Sequence, residues 1–196
     1  EGFVVAQPAA TGSIPRWNIS SGSGSQRDVA FLRAVVEDIA RELPIDRQAV
    51  FAAGFSNGGG MVHRLACEAS DLVAAIGVVA GQQVVVDACT PAESVAVSAL
   101  HGTSDDIVPF TGDGLLFPPI TQWIQRWAER NSCSEPPQVS QPVPDVDRTV
   151  WGECTDGATV ELHTIDGGEH RWPTMPSDPI SATDTLWDFF STHDRD

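Results

Sequence analysis

Apolar residues follow two rhythms along the chain. Short unbroken runs suit strands buried on both faces, and stripes with helical spacing suit helices with one face on a core. The run Gly2-Phe3-Val4-Val5-Ala6 predicts a buried strand, ended by Pro8. Residues 9–25 are rich in Gly, Ser, Pro and Thr and predict a loop, interrupted by Arg16-Trp17-Asn18. Asp28 fits an N-cap or first-turn position, and Val29, Phe31, Leu32, Val35, Val36 and Ile39 follow with helical spacing. Leu43-Pro44 ends that helix, because proline disfavours a helical residue before it. Residues 49–53 predict the next strand, and residues 57–69 a helix striped with Met61, Val62 and Leu65. The runs 74–80 and 95–100 predict two more buried strands. A helix carrying Ile120, Trp123, Ile124 and Trp127 follows Pro118-Pro119. Residues 134–148 hold four prolines and predict an extended connection. Strands at 149–151 and 159–165 turn at Asp156-Gly157. The last helix, 182–190, should turn Leu186, Trp187 and Phe190 inward. Strands alternating with helices predict an α/β fold with a mainly parallel sheet.

At 196 residues, a single domain spanning 1–196 is expected, and 41% hydrophobic residues suffice for a full core. The formal net charge of −16 argues against nucleic acid and anionic membranes as partners. No apolar run reaches the roughly 20 residues that span a bilayer. The chain starts at Glu1-Gly2 with neither an initiator methionine nor a leader, so it is expected to be processed or to lack its beginning.

Cys67, Cys89, Cys133 and Cys154 form no C-x-x-C pair and have no histidine at metal-ligand spacing, so no metal is expected. Two disulfides are the better reading, which implies an oxidising compartment. Proximity in the chain favours Cys67–Cys89 and Cys133–Cys154 among the possible pairings.

The chemistry centres on Gly54-Phe55-Ser56-Asn57-Gly58, a G-x-S-x-G sequence between a predicted strand and a predicted helix. In that context the motif is a nucleophile elbow, a sharp turn that holds one serine clear of the backbone. A side chain at Gly54 or Gly58 is expected to collide with neighbouring backbone. A serine hydroxyl needs a base to take its proton. On this fold the partners follow in the order Ser, acid, His, in loops past strand ends. Among five histidines, His63 lies on the helix after the serine, His101 ends a strand before any acid, His163 alternates within a strand, and His193 is in the tail. His170 alone follows the last strand in a glycine-rich loop, and it is the expected base. For the acid, position leaves both Asp105 and Asp106 open, with Asp113 farther along. The glycines match neither a phosphate loop nor a dinucleotide fingerprint, so no cofactor is expected.

Three segments together resemble the polyhydroxybutyrate depolymerases and the neighbouring feruloyl and acetylxylan esterases of carbohydrate esterase family one. They are Gly54–Gly59 with Arg64-Leu65-Ala66-Cys67, then His101-Gly102-Thr103-Ser104-Asp105-Asp106-Ile107-Val108-Pro109-Phe110, then Gly167-Gly168-Glu169-His170-Arg171-Trp172-Pro173. The second is similar to HGTxDxxVPY, whose first Asp is the acid, which implies Asp105. The third is similar to GGGHxWP, which carries the base. Phe110 and Glu169 depart from the usual Tyr and Gly. Cys133 and Cys154 resemble a disulfide pair of the family. The resemblance implies an α/β-hydrolase fold and a secreted serine esterase acting on polyhydroxyalkanoate or on feruloyl or acetyl esters of xylan. Ser56, His170 and Asp105 would form its triad and the Asn57 N–H its oxyanion donor. Trp17, Phe110 and Trp172 are candidates for the substrate cleft. Family members have further strands before Gly2 and a His-Gly segment giving a second oxyanion donor. The resemblance therefore implies the C-terminal portion of such an enzyme, with the first strands missing. The rival readings are a peptidase or lactone hydrolase on the same fold, or an impaired fragment that binds ligand without turnover.

Overall fold

The computed structural model describes residues 2–19, 25–81 and 89–195, with only the backbone at 25 and 26. Residues 20–24 of the expected loop lie outside the described residues. The framework is one six-stranded sheet in the order β1-β2-β3-β6-β5-β4. Strands β1 (Phe51–Phe55), β2 (Ala75–Val79), β3 (Ala96–Gly102) and β6 (Val160–Ile165) run parallel. β5 (Val146–Trp151) and β4 (Gln138–Val143) continue the sheet antiparallel. This is the α/β-hydrolase fold.

The helices are α1 (Ser25–Glu42), α2 (Asn57–Glu68), α3 (Ile120–Arg130) and α4 (Ala182–Phe190). The sheet's alternation sorts them into two layers. Ile76, Val78, Val97, Ala99, Val160 and Leu162 join residues of α1, α2 and α3 in one core. Ala75, Val79, Ala96 and Leu100 face the other way, onto Leu186, Phe189 and Phe190 of α4. β2 and β3 are buried along their whole length, as their unbroken apolar runs require.

Several expectations are corrected. Residues 2–6 form no strand, and Phe3, Val4 and Val5 are exposed. Their apolar run finds no sheet partner; Phe3 instead packs its ring 4.7 Å from Trp187. Trp187 accordingly faces outward at 45% exposure. Helical geometry explains this, because Leu186, Phe189 and Phe190 share one stripe and Trp187 falls about 100° off it. The expected connection at 134–148 contains β4 and the start of β5, joined through a tight turn with Asp145 at φ 64°. Pro142 is tolerated because β4 is the edge strand. β1 forms the opposite edge, with no partner on its outer side among the described residues.

Candidate active site

β1 delivers Ser56 to the carboxyl end of the parallel strands, and α2 begins at the next residue. Ser56 has φ 51° and ψ −117°, a conformation L-residues seldom adopt. The close approach of β1 to α2 is what demands glycine at 54: a Cβ there would overlap the Gly58 carbonyl and the Gly59 nitrogen. The parallel expectation for Gly58 is overturned, since a Cβ there meets nothing within 4 Å. The tight position is Gly59, whose Cβ would lie 3.1 Å from Val78 and 3.2 Å from the Gly54 carbonyl.

The structure places Ser56, His170 and Asp105 in one hydrogen-bonded row. Ser56 Oγ lies 2.9 Å from His170 Nε2, and His170 Nδ1 lies 2.8 Å from Asp105 Oδ2. An ionised carboxylate can only accept, so the His170 hydrogen sits on Nδ1 and leaves Nε2 free to accept from the serine. Asp106 is exposed and takes no part in the row. Asp113 lies in a separate turn, where Oδ1 accepts from the backbone N–H groups of Leu115, Leu116 and Phe117.

Asp105 is 4% exposed. Burial opposes its ionisation, but hydrogen bonds from His101, Val108 N–H, His170 and Ile107 N–H outweigh burial and hold the carboxyl well below the usual range. The loops carrying Asp105 and His170 are docked backbone to backbone. Ser104 N–H donates to the Gly168 carbonyl at 2.9 Å, and a Cβ on Gly102 would overlap that carbonyl.

Asn57 occupies the first turn of α2, where backbone N–H groups have no helical acceptor and can face a ligand. Its side chain grips Trp17: the Trp17 N–H donates to Oδ1 at 2.8 Å, and Nδ2 donates to the Trp17 carbonyl at 3.1 Å. The Asn18 N–H donates to Asp28 and its carbonyl accepts from Arg64, so this strap lies against both α1 and α2. The Trp17 ring packs on the larger core beside Phe31. Trp172 is half-buried against the α4 core, with Nε1 donating to Thr183 at 3.1 Å. Phe110 packs on the larger core with its ring 6.1 Å from His101.

Three features escaped the sequence reading. Phe55 sets its ring 5.0 Å from His170; its place just before the serine was the available signal. His101 reaches Asp105, although strand position had set it aside as structural. The Gly102–Gly168 contact joins positions distant in sequence and left no local signal.

Disulfides Cys67–Cys89 and Cys133–Cys154 are formed as expected. His63, Cys67 and Cys89 bring ligand-type atoms within 4.8 Å of one another, but both sulfurs are spent in a disulfide.

Feruloyl esterase B of Piromyces equi is 30% identical over 166 residues, covering 79% of this chain. Feruloyl esterase D of Neurospora crassa is 31% identical over 171 residues, covering 84% of this chain. The chain is a relative of the feruloyl esterases. It spans 31% of the length of the Piromyces esterase and 55% of the Neurospora one. No protein-family model matches the chain. Among solved structures, the acetyl xylan esterase of Aspergillus awamori superposes with a TM-score of 0.64 at 19% identity, covering 91% of this chain and 74% of that one. Esterase PE8 superposes with a TM-score of 0.59 at 17% identity, covering 87% and 62%. At such identities the superpositions speak to the fold, which they share.

Proposed function

We propose that this relative of the feruloyl esterases carries the machinery of a serine carboxylic-ester hydrolase in one catalytic unit. The observation that carries the proposal is the row Ser56–His170–Asp105, with the serine on a strained strand-to-helix turn. Ser56 Oγ attacks the ester carbonyl carbon as its proton passes to His170 Nε2. The carbonyl oxygen becomes an oxyanion held by the Asn57 N–H. Asp105 orients the imidazole and stabilises its charged form. Collapse of the tetrahedral intermediate expels the alcohol, which takes the proton from His170 and leaves Ser56 acylated. Water then attacks the acyl carbon, gives a proton to His170, and releases the carboxylic acid with Ser56 restored.

The substrate class we propose is a feruloyl or acetyl ester of plant cell-wall polysaccharide, on the names of the relatives. Trp17, Phe110 and Trp172 would wall the cleft. Two disulfides support a place outside the reducing cytosol, and we propose that the protein is secreted.

The test compares the chain with Ser56→Ala on p-nitrophenyl acetate, methyl ferulate, a hydroxybutyrate oligomer and a peptide anilide. Turnover of the first two above the variant is the expected outcome. Cleavage of the anilide alone would move the proposal to a peptidase, and faster turnover of the oligomer would move it to a polyester hydrolase. Fluorophosphonate labelling at any residue but Ser56 would sink the site assignment.

A further inference from the structure

We propose that His101 is a positioning residue for the acid, holding the Asp105 carboxylate in the plane His170 needs. The inference rests on the hydrolase reading above. His101 is the next-to-last residue of β3 and is 2% exposed. Its Nε2 lies 2.8 Å from the Val108 carbonyl oxygen. A carbonyl only accepts, so Nε2 must carry a hydrogen. That same nitrogen lies 3.2 Å from Asp105 Oδ2, the oxygen that receives the His170 hydrogen at 2.8 Å. The nitrogen that bonds the Val108 carbonyl thus also stands within 3.2 Å of the acid.

The rest of the carboxylate is fixed by backbone. Oδ1 accepts from Ile107 N–H at 3.0 Å and Val108 N–H at 2.8 Å. These two bonds pin Oδ1 but leave the Oδ2 edge to its imidazole partners. With His101 removed, Oδ2 keeps only His170, the group it is meant to orient. A carboxylate twisting about its Cβ–Cγ bond would then carry the His170 ring away from Ser56. Misplacements of about 1 Å in such a chain cost up to roughly a hundredfold in rate.

A purely structural role competes with this one, because the Val108 bond also ties residues 101–108 into a closed loop. Two variants separate them. His101→Phe fills the volume and removes the N–H. His101→Gln sets an amide Nε2 where the imidazole Nε2 stood and keeps a donor. Positioning predicts that His101→Phe lowers kcat on p-nitrophenyl acetate by about tenfold to a hundredfold, with KM within twofold. It also predicts that His101→Gln recovers kcat to within about threefold of the parent. Equal losses in both variants, or a kcat for His101→Phe within twofold of the parent, would overturn it. So would a rise in KM at unchanged kcat.

Nitrogen-15 NMR of the ring resonances reads the same inference without turnover. The expected result is a hydrogen on Nε2 of His101, and a His170 Nδ1–H signal that shifts in His101→Phe and returns in His101→Gln. A His101 hydrogen on Nδ1, or an unmoved His170 signal, overturns the inference. A parent chain no more active than Ser56→Ala would instead count against the hydrolase reading, leaving the NMR arm to decide on His101.

Discussion

Gly102 and Gly168 let the Asp105 loop and the His170 loop share a space that one methyl group would fill. A Cβ on Gly102 would overlap the backbone of Gly168, which has no flexible end to move aside. Gly102→Ala should therefore push the loops apart, costing about 1–3 kcal/mol of stability. It should also lower kcat by more than about tenfold, because the Asp105–His170 distance is set by that docking. Gly152→Ala is the control, since a Cβ there meets nothing within 4 Å. Thermal melts and kcat values in which the two variants match would refute the argument. The contrast also marks what the residues alone could reveal. Ser56 and His170 were legible because a strained turn and a glycine-rich loop leave local signatures. Position left the acid open between Asp105 and Asp106, and only the similarity of residues 101–110 to a family segment chose Asp105. The Gly102–Gly168 contact and the His101–Asp105 bond are tertiary, so nothing in their neighbourhoods announces them.

At the scale of elements, apolar runs that meet a sheet partner were legible and the exposed edge strand β4 was not. β2 and β3 are buried on both faces, so composition alone declared them. β4 is exposed along nearly its whole length and includes Pro142, so it showed neither a run nor an alternation. Residues 2–6 failed in the opposite sense, since an apolar run needs an available edge before it can be a strand. Glu161 is the least expected residue of the sheet's interior, at 2% exposure on the central strand β6. It is made tolerable by partners from its own strand and from the two strands beside it. Ser98 of β3 donates to Oε1 at 2.7 Å, His163 of β6 lies 3.0 Å from Oε1, and Arg148 of β5 donates to Oε2 at 2.8 Å. Burial pushes its pKa up, but these partners pull it down to about 2. Glu161→Ala should cost about 3 kcal/mol, the low end for breaking a buried pair, because the Arg148 guanidinium reaches solvent and can rehydrate. Urea denaturation at neutral pH measures this; a loss below about 1 kcal/mol would mean the cluster is no more than a surface pair.

Over the whole molecule, 27 acidic side chains against 11 basic ones make acidification ambiguous. Protonating carboxylates relieves their mutual repulsion, which favours the compact state. It also removes the bonds that Glu161 and its like accept, which disfavours it. His63 supplies a third contribution, with a sign of its own. It is fully buried between Trp123 and Trp127, with each ring centroid 5.3 Å away, and beside the Cys67–Cys89 disulfide. Burial above all, and the Arg130 charge after it, push its pKa from 6.5 down to about 3. Between those values the unfolded chain binds a proton at this site that the folded chain refuses. Stability from His63 is therefore complete above about pH 6.5 and drains away as pH falls toward 3. The slope is at most about 1.4 kcal/mol per pH unit for one proton. Lowered carboxylates such as Glu161 and Asp71 lose their contribution only below their unfolded values near 4, so the window from about pH 6.5 to 4.5 separates the two effects. Charge repulsion acts alike on the parent and on a His63→Gln variant, so it cancels in their difference. Urea titrations at pH 7 and pH 5 should show the parent losing more stability than the variant, by about 1–2 kcal/mol. Parallel pH dependences in the two proteins would show that His63 takes up its proton without leaving the core.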